Sequence, residues 1–236
     1  MDIPVWLDQN DCRFPDSRLA LRQPNGLLAA GGSLDPDTLL DAYYQGIFPW
    51  YSEDQPLLWW SPDPRAVLFP EQLRISRSLR KTISSGRFSV SADRAFDRVI
   101  DACAAPRMDD DGGGTWITTA IRSAYTQLHQ LGYAHSIEAW EDGELAGGLY
   151  GVALGRVFFG ESMFHHQRDA SKVALVHLVQ HLQAQGFHLI DCQQTTPHLE
   201  SLGATTIPRQ QFNELLQRYS HDEQFKPHWQ LTAAPS

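Results

Sequence analysis

The sequence predicts an α+β fold, and three observations carry that reading. Residues 135–193 read as three short strands, one helix and a further strand. The turns between the strands fall at Glu141–Glu144, which contains Asp142-Gly143, and at Gly155-Arg156; Asp-Gly between apolar runs is a strong hairpin signal. Ser61-Pro62-Asp63-Pro64 reads as a stiff junction that divides the chain into 1–62 and 63–236.

Taken in order, SLDPDTLLDAYYQG is the one long helix expected before residue 62. Ser33 or Asp35 can cap it, Pro36 suits its first turn, and Gly46 can end it. IFPWYSEDQPLLWWSPDP cannot be a regular helix with so many prolines, and it reads as an ordered loop packed on its own aromatics. Trp50, Tyr51, Trp59 and Trp60 either close a small core or offer a stacking surface for a base or a substrate side chain. RAVLFP reads as a strand, and FSVSADRAFDRVIDACA as a strand running into a helix. Between them, Arg74, Arg77, Arg80, Lys81 and Arg87 gather five of the chain's 19 basic residues. If helical, this stretch puts Arg74, Arg77 and Lys81 on one face, which is either a solvated face or a phosphate-binding one. Asp109–Asp111 and Gly112–Gly114 read as a flexible acidic turn, and its GGGT lacks the spacing of a phosphate loop. A helix from about Thr118 to Leu131 presents Ile121, Tyr125 and Leu128 as a core face. After the central block come a short helix, a turn and a final helix. The tail after Tyr219 is polar and reads as loosely held.

In the central block, the helix should start at Asp169 or Ser171, whose side chains can accept bonds from free backbone N–H groups, and Gly186 is placed to end it. It is apolar at Val173, Ala174, Leu175, Val176, Leu178, Val179 and Leu182, too wide a stripe for a surface helix. Glu161 in FFGES and Asp191 in HLIDCQ each follow an apolar strand. A carboxylate there is costly unless it is hydrogen-bonded or has a task. Asp191 and Gln193 alternate with Cys192, so both should point to one face; taken alone, a capping or ion-paired carboxylate is the plainer reading of Asp191. His177 and His181 stand four apart but lack an HExxH arrangement and a third ligand, so no metal is expected.

A chain of 236 residues suffices for one large domain or two small ones. Its 42% apolar and 20% charged residues are ordinary for a globular protein. No apolar run reaches bilayer length, so no membrane partner is expected, and MDIPVWLDQND lacks the basic and apolar regions of a secretion signal. Cys12, Cys103 and Cys192 are odd in number and widely spaced, which fits a reducing cytoplasm better than a disulfide framework. A net charge of −9 disfavours nucleic-acid binding unless basic residues gather locally, as they do between Arg74 and Arg87.

PNGLLAAGGSL, YYQGIFPWYS, WWSPDPRAVLFP, GTWIT, GGLYGVALGRVFFGESMF, ASKVAL and LIDCQ, in this order and spacing, resemble the leucyl/phenylalanyl-tRNA–protein transferases. The resemblance runs from about Phe14 to Tyr219. It implies a bacterial cytoplasmic enzyme that moves Leu or Phe, and less well Met, from aminoacyl-tRNA to proteins beginning with Lys or Arg, creating a degradation signal. It also implies a small N-terminal α/β domain and an acetyltransferase-like C-terminal domain. The partners expected are Leu-tRNA, Phe-tRNA and those acceptor proteins, with a monomeric enzyme.

An aminoacyl ester is already activated, so the reaction needs no cofactor, ATP or metal. By resemblance, Asp191 and Gln193 match the family's catalytic pair, and Glu161 matches the acidic residue that helps hold the basic acceptor N-terminus. Whether Asp191 or the 2′-hydroxyl of the tRNA moves the proton is left open. Leu149, Phe158, Leu175, Leu178, Leu182 and Ile190 correspond to walls of the aminoacyl pocket, although each alone reads as plain core. The family pattern has Met at the position of Leu149 and Phe at those of Leu178 and Leu182. Trp50 and Trp116 match aromatics beside the terminal adenosine, and the Arg74–Arg87 run is the candidate surface for the acceptor stem. Thr196 and Pro197 precede His198 where the family carries an Asn and an Asp. Two rival readings are weaker. An acetyl-CoA enzyme needs a glycine-rich pyrophosphate loop, which HHQRDASK lacks, and a non-catalytic binding module has no need of an aligned Asp191 and Gln193.

Overall fold

The computed structural model describes residues 3–105, 116–222 and 224–231. The acidic turn expected at 109–114 lies outside the described residues.

The first part builds a four-stranded sheet from β1 (Val5–Leu7), β2 (Leu27–Gly31), β3 (Phe48–Pro49) and β4 (Leu58–Trp60), ordered β1-β2-β4-β3. The loop expected over 47–64 therefore contains two short strands. Leu58-Trp59-Trp60 lies between β2 and β3, while Pro56 and Pro62 flank it and need no ladder N–H there. The indoles of Trp59 and Trp60 donate to Gly31 O at 2.8 Å and Trp50 O at 2.7 Å. Both rings are buried. Helix α1 (Pro36–Tyr44) is capped by Asp35, which accepts from the Thr38 N–H at 3.0 Å.

The remaining chain forms a seven-stranded sheet. In sequence, β5 (Arg65–Leu68) leads to α2 (Arg77–Ser84), β6 (Ser89–Ala92), α3 (Phe96–Ala104) and α4 (Thr119–Gln130). Next come β7 (Ala134–Glu141), β8 (Glu144–Leu154), β9 (Val157–His165), α5 (Ala170–Gln185), β10 (Leu189–Gln193), α6 (Pro197–Ser201), β11 (Thr205–Ile207) and α7 (Arg209–Tyr219). The strand order is β11-β5-β10-β9-β8-β7-β6, antiparallel except for the β9–β10 pair. The hairpins turn where Asp142-Gly143 and Gly155 adopt positive φ. Helix α5 packs on one face of the sheet with α2 against it; α3 and α4 cover the other face, and α1 packs on α4.

Four further expectations need correction. Arg74 precedes α2, whose start is set by the Ser76 cap, so the basic helical face is Arg77, Arg80 and Lys81. Neither Asp169 nor Ser171 caps α5 with its side chain. Asp169 takes a left-handed φ of 68° and faces Lys172 at 3.7 Å instead. A short strand, β11, replaces the turn expected before the last helix. The tail is also anchored: Trp229 stacks on His135 with ring centroids 3.7 Å apart and meets Phe158, His181 and Phe187, while Phe225 lies edge-on to Phe187.

Candidate active site

The parallel pair β9–β10 stays in register from Leu189 opposite Val157 to Asp191 opposite Phe159, and then both strands leave it. On β9, Glu161 sits in a bulge, because Gly151 pairs with Gly160 and Tyr150 with Ser162. Only glycine fits at 151: a Cβ there would stand 2.2 Å from the Phe159 carbonyl oxygen. On β10 the register against β5 slips between Asp191 and Gln193, and Gln193 takes a φ of 61°. The Asp191 carboxylate holds that turn, with Oδ1 accepting the Gln193 N–H at 2.8 Å.

Two carboxylates result, in contrasting settings. Asp191 is fully buried and gripped by Arg65, whose Nε donates to Oδ1 at 2.8 Å and Nη2 to Oδ2 at 2.6 Å. Among the described residues, Glu161 has no cation beside it. Its Oε1 accepts from Tyr43 Oη at 2.7 Å and Gln193 Nε2 at 3.0 Å, and its Oε2 accepts from Tyr125 Oη at 3.0 Å. The two tyrosine oxygens also lie against each other, so the three contacts share two hydroxyl hydrogens unless the carboxyl carries its own proton. Part of Glu161 remains open to solvent, but its carboxylate is ringed by these groups. Burial pushes its pKa up to about 7, with the Asp191 charge adding to the rise and the tyrosine and Gln193 bonds opposing it. Burial and the nearby Glu161 charge push both tyrosines upward. Because Gln193 gives its amide N–H to Glu161, its amide carbonyl is left to accept from an incoming N–H donor.

Asp191, Gln193 and Glu161 are thus brought together, though not by the regular strand alternation expected of Asp191 and Gln193, since the register slips between them. Leu149, Phe158, Leu175, Leu178, Leu182 and Ile190 come together in one cluster with α5, each no more than 5% exposed. That cluster is on the opposite face of the sheet from Arg65, which lies between Phe48 and Phe212. Trp50 is 41% exposed and edge-on to Trp60. Its neighbour Tyr51 bonds Thr118 at 3.1 Å, which draws the Trp50 and Trp116 segments together. In the basic run, Arg74, Arg77, Arg80 and Lys81 are exposed. Arg87 differs, since Glu141 holds it at 2.5 Å. His177 bonds its own helix at Val173 O, and His181 is buried beside Trp229.

Sequence reasoning missed Arg65, Tyr43 and Tyr125. Tyr125 was visible only as part of a core face. The available signal was chemical: a tyrosine on a core face must bring its hydroxyl to a partner.

Comparison with known proteins agrees with the resemblance. The model of the leucyl/phenylalanyl-tRNA protein transferase family matches residues 67–217, and that of its N-terminal domain matches residues 32–63. A leucyl/phenylalanyl-tRNA–protein transferase of Aromatoleum aromaticum is 60% identical, over 94% of this chain and 92% of its own. One from Stutzerimonas stutzeri is 59% identical, over 90% and 93%. Among solved structures, a GCN5-related N-acetyltransferase-like protein from Streptococcus suis aligns with a TM-score of 0.36 at 14% identity, covering 72% of this chain and 63% of that one.

Proposed function

We propose, because this chain belongs to the leucyl/phenylalanyl-tRNA–protein transferase family and is an aminoacyltransferase, that it carries Leu or Phe, and less well Met, from tRNA to proteins beginning with Lys or Arg. The acceptor α-amine attacks the ester carbonyl carbon. A C–N bond forms, the bond to the ribose 3′-oxygen breaks, and the proton that the amine loses ends on that oxygen as the tRNA leaves. The product is a peptide bond that marks the acceptor for degradation in the cytoplasm.

The observation that carries this reading is the 3.0 Å bond from Gln193 to a Glu161 carboxylate that has no cation partner among the described residues. Glu161 is suited to help hold the basic N-terminal Lys or Arg of the acceptor. The free Gln193 carbonyl is suited to receive the α-amine N–H and aim its lone pair at the ester. Asp191, with both oxygens engaged, keeps Gln193 in place and is not free to take a proton. On this reading the six residues on α5 and its strands surround the Leu or Phe side chain where β9 and β10 part. Loose specificity follows, since a methylene more or less is worth roughly 1–3 kcal/mol. Trp50 and Trp116 flank the terminal adenosine, and Arg74, Arg77, Arg80 and Lys81 meet acceptor-stem phosphates. The four-stranded sheet corresponds to the small N-terminal domain, the seven-stranded one to the acetyltransferase-like domain, and the enzyme acts as a monomer.

The test is transfer of labelled Leu or Phe from charged tRNA to peptides beginning with Lys, Arg or Ala. Label on the first two alone is expected; equal labelling of the Ala peptide overturns the acceptor assignment.

A further inference from the structure

Arg65 joins the first sheet, β10 and α7 beside the candidate site, yet it lies outside the reacting groups. It opens β5, has no measurable exposure, and its guanidinium is sandwiched between the Phe48 ring at 4.8 Å and the Phe212 ring at 4.6 Å. Phe48 belongs to the first sheet and Phe212 to α7. Its Nη1 donates to the Gly46 carbonyl at 3.0 Å, and Nε and Nη2 form the paired bonds to Asp191. A charge this deep is held by its paired carboxylate, one carbonyl and two aromatic faces.

The consequence reaches Gln193 through one atom. Asp191 Oδ1 accepts both from Arg65 and from the Gln193 N–H. The second bond supports the left-handed backbone of a residue that is not glycine, a conformation that L side chains adopt only when it is held. If the Asp191 carboxylate rotates or shifts, the Gln193 amide moves off Glu161. A planar, two-pronged donor fixes the carboxylate in orientation as well as in place, which a lysine ammonium cannot do.

We infer that Arg65 is a positioning residue for aminoacyl transfer, acting through Asp191 to hold Gln193 in its catalytic conformation and tying that conformation to the first sheet. This rests on the role proposed above for Gln193. Arg65 itself touches neither the ester nor the amine, so its loss should lower kcat and spare the KM for aminoacyl-tRNA.

A kinetic cycle of Arg65→Lys and Gln193→Ala, with Phe-tRNA and a Lys-initiated peptide, tests this. Arg65→Lys is expected to lower kcat by roughly 10–100-fold, the scale of a misplacement of about 1 Å, with the KM for Phe-tRNA unchanged. Adding Gln193→Ala should cost little more, because both changes remove one function. Multiplying losses, or wild-type kcat in Arg65→Lys, overturns the inference. Unchanged kcat in Gln193→Ala alone removes the reading of Gln193 and the inference with it, whereas a dead Gln193→Ala beside an intact Arg65→Lys sinks the inference alone. If Arg65→Lys does not fold, the uncharged pair Arg65→Met/Asp191→Leu replaces it, since a buried ion pair exchanged for apolar groups often keeps the fold. Folded and as slow as Gln193→Ala, that enzyme supports the inference; folded and fully active, it overturns it.

Discussion

At the scale of single residues, the contrast between two carboxylates decides the chemistry. Asp191 has spent both oxygens on Arg65 and on the Gln193 backbone, whereas Glu161 has only neutral donors among the described residues. Its pKa of about 7 stands above the ordinary 4.5, so the folded protein binds this proton more tightly than the unfolded chain does. The sign follows from linkage: the stability cost is absent below about pH 4.5, grows up to about pH 7, and is complete above that. Glu161→Gln removes the cost. In thermal melts the variant should gain on wild type by about 2 kcal/mol between about pH 5 and about pH 8, a figure reduced for the part of Glu161 open to water. An offset that does not change with pH would contradict the burial of this charge. The same ionisation should lower the KM for a Lys-initiated peptide as pH rises through about 7 in wild type, and leave it flat in Glu161→Gln.

At the scale of elements, α2 and the tail each permit a test. Arg77, Arg80 and Lys81 project from a helix whose inner residue is Leu79, and none has an acidic partner among the described residues. Each phosphate they meet should add roughly 0.7–0.9 to the slope of log affinity against log salt. Changing all three to Ala should therefore flatten the slope for charged tRNA by about 2, while Arg87→Ala, already paired with Glu141, should change it little. A triple variant with the wild-type slope would send the tRNA to another surface. The tail works by burial. Trp229→Ala removes an indole from His135, Phe158 and Phe187 and should cost about 1–3 kcal/mol of stability, read from denaturant midpoints. No change would mean that the tail is not held there in solution. These elements also mark the limit of what the sequence displays. Helices α1, α4 and α5 and the two hairpins carry periodicity, caps and turn residues, and they were legible. Strands of two or three residues, such as β3 and β11, have no period to detect. The tail's Phe225, Trp229 and Leu231 are partly buried only because α5 and its neighbours offer an apolar surface, which no local pattern records. The site divides likewise: the carboxylates stood out at strand ends, but Arg65 lies 126 positions from Asp191, and Tyr43 lies 118 from Glu161.

At the scale of the whole molecule, the junction at residues 61–64 does not separate two independent bodies. One apolar core contains Leu28, Tyr43 and Trp59 from the first sheet and α1 together with Tyr125, Tyr150 and Phe159 from the second part. Polar ties cross the same boundary. Arg209 donates to the Ser61 carbonyl at 2.5 Å, and Asn213 donates to Ser17 at 3.0 Å. Glu161 draws one tyrosine from α1 and the other from α4, so the site exists only while both parts are folded together. Shared burial of this kind makes partial unfolding expensive, because opening the first sheet alone would expose the Arg65–Asp191 pair and the Tyr43–Tyr125 contact to water. The two sheets should therefore open as one cooperative unit. Native-state hydrogen exchange measures this directly: the slowest amides of β2 and β4 should show the same opening free energy as those of β8 and β9. If the β2 and β4 amides exchange at markedly lower free energy, the first sheet opens on its own, and the acceptor site is assembled only transiently, by closure of the N-terminal part onto Glu161.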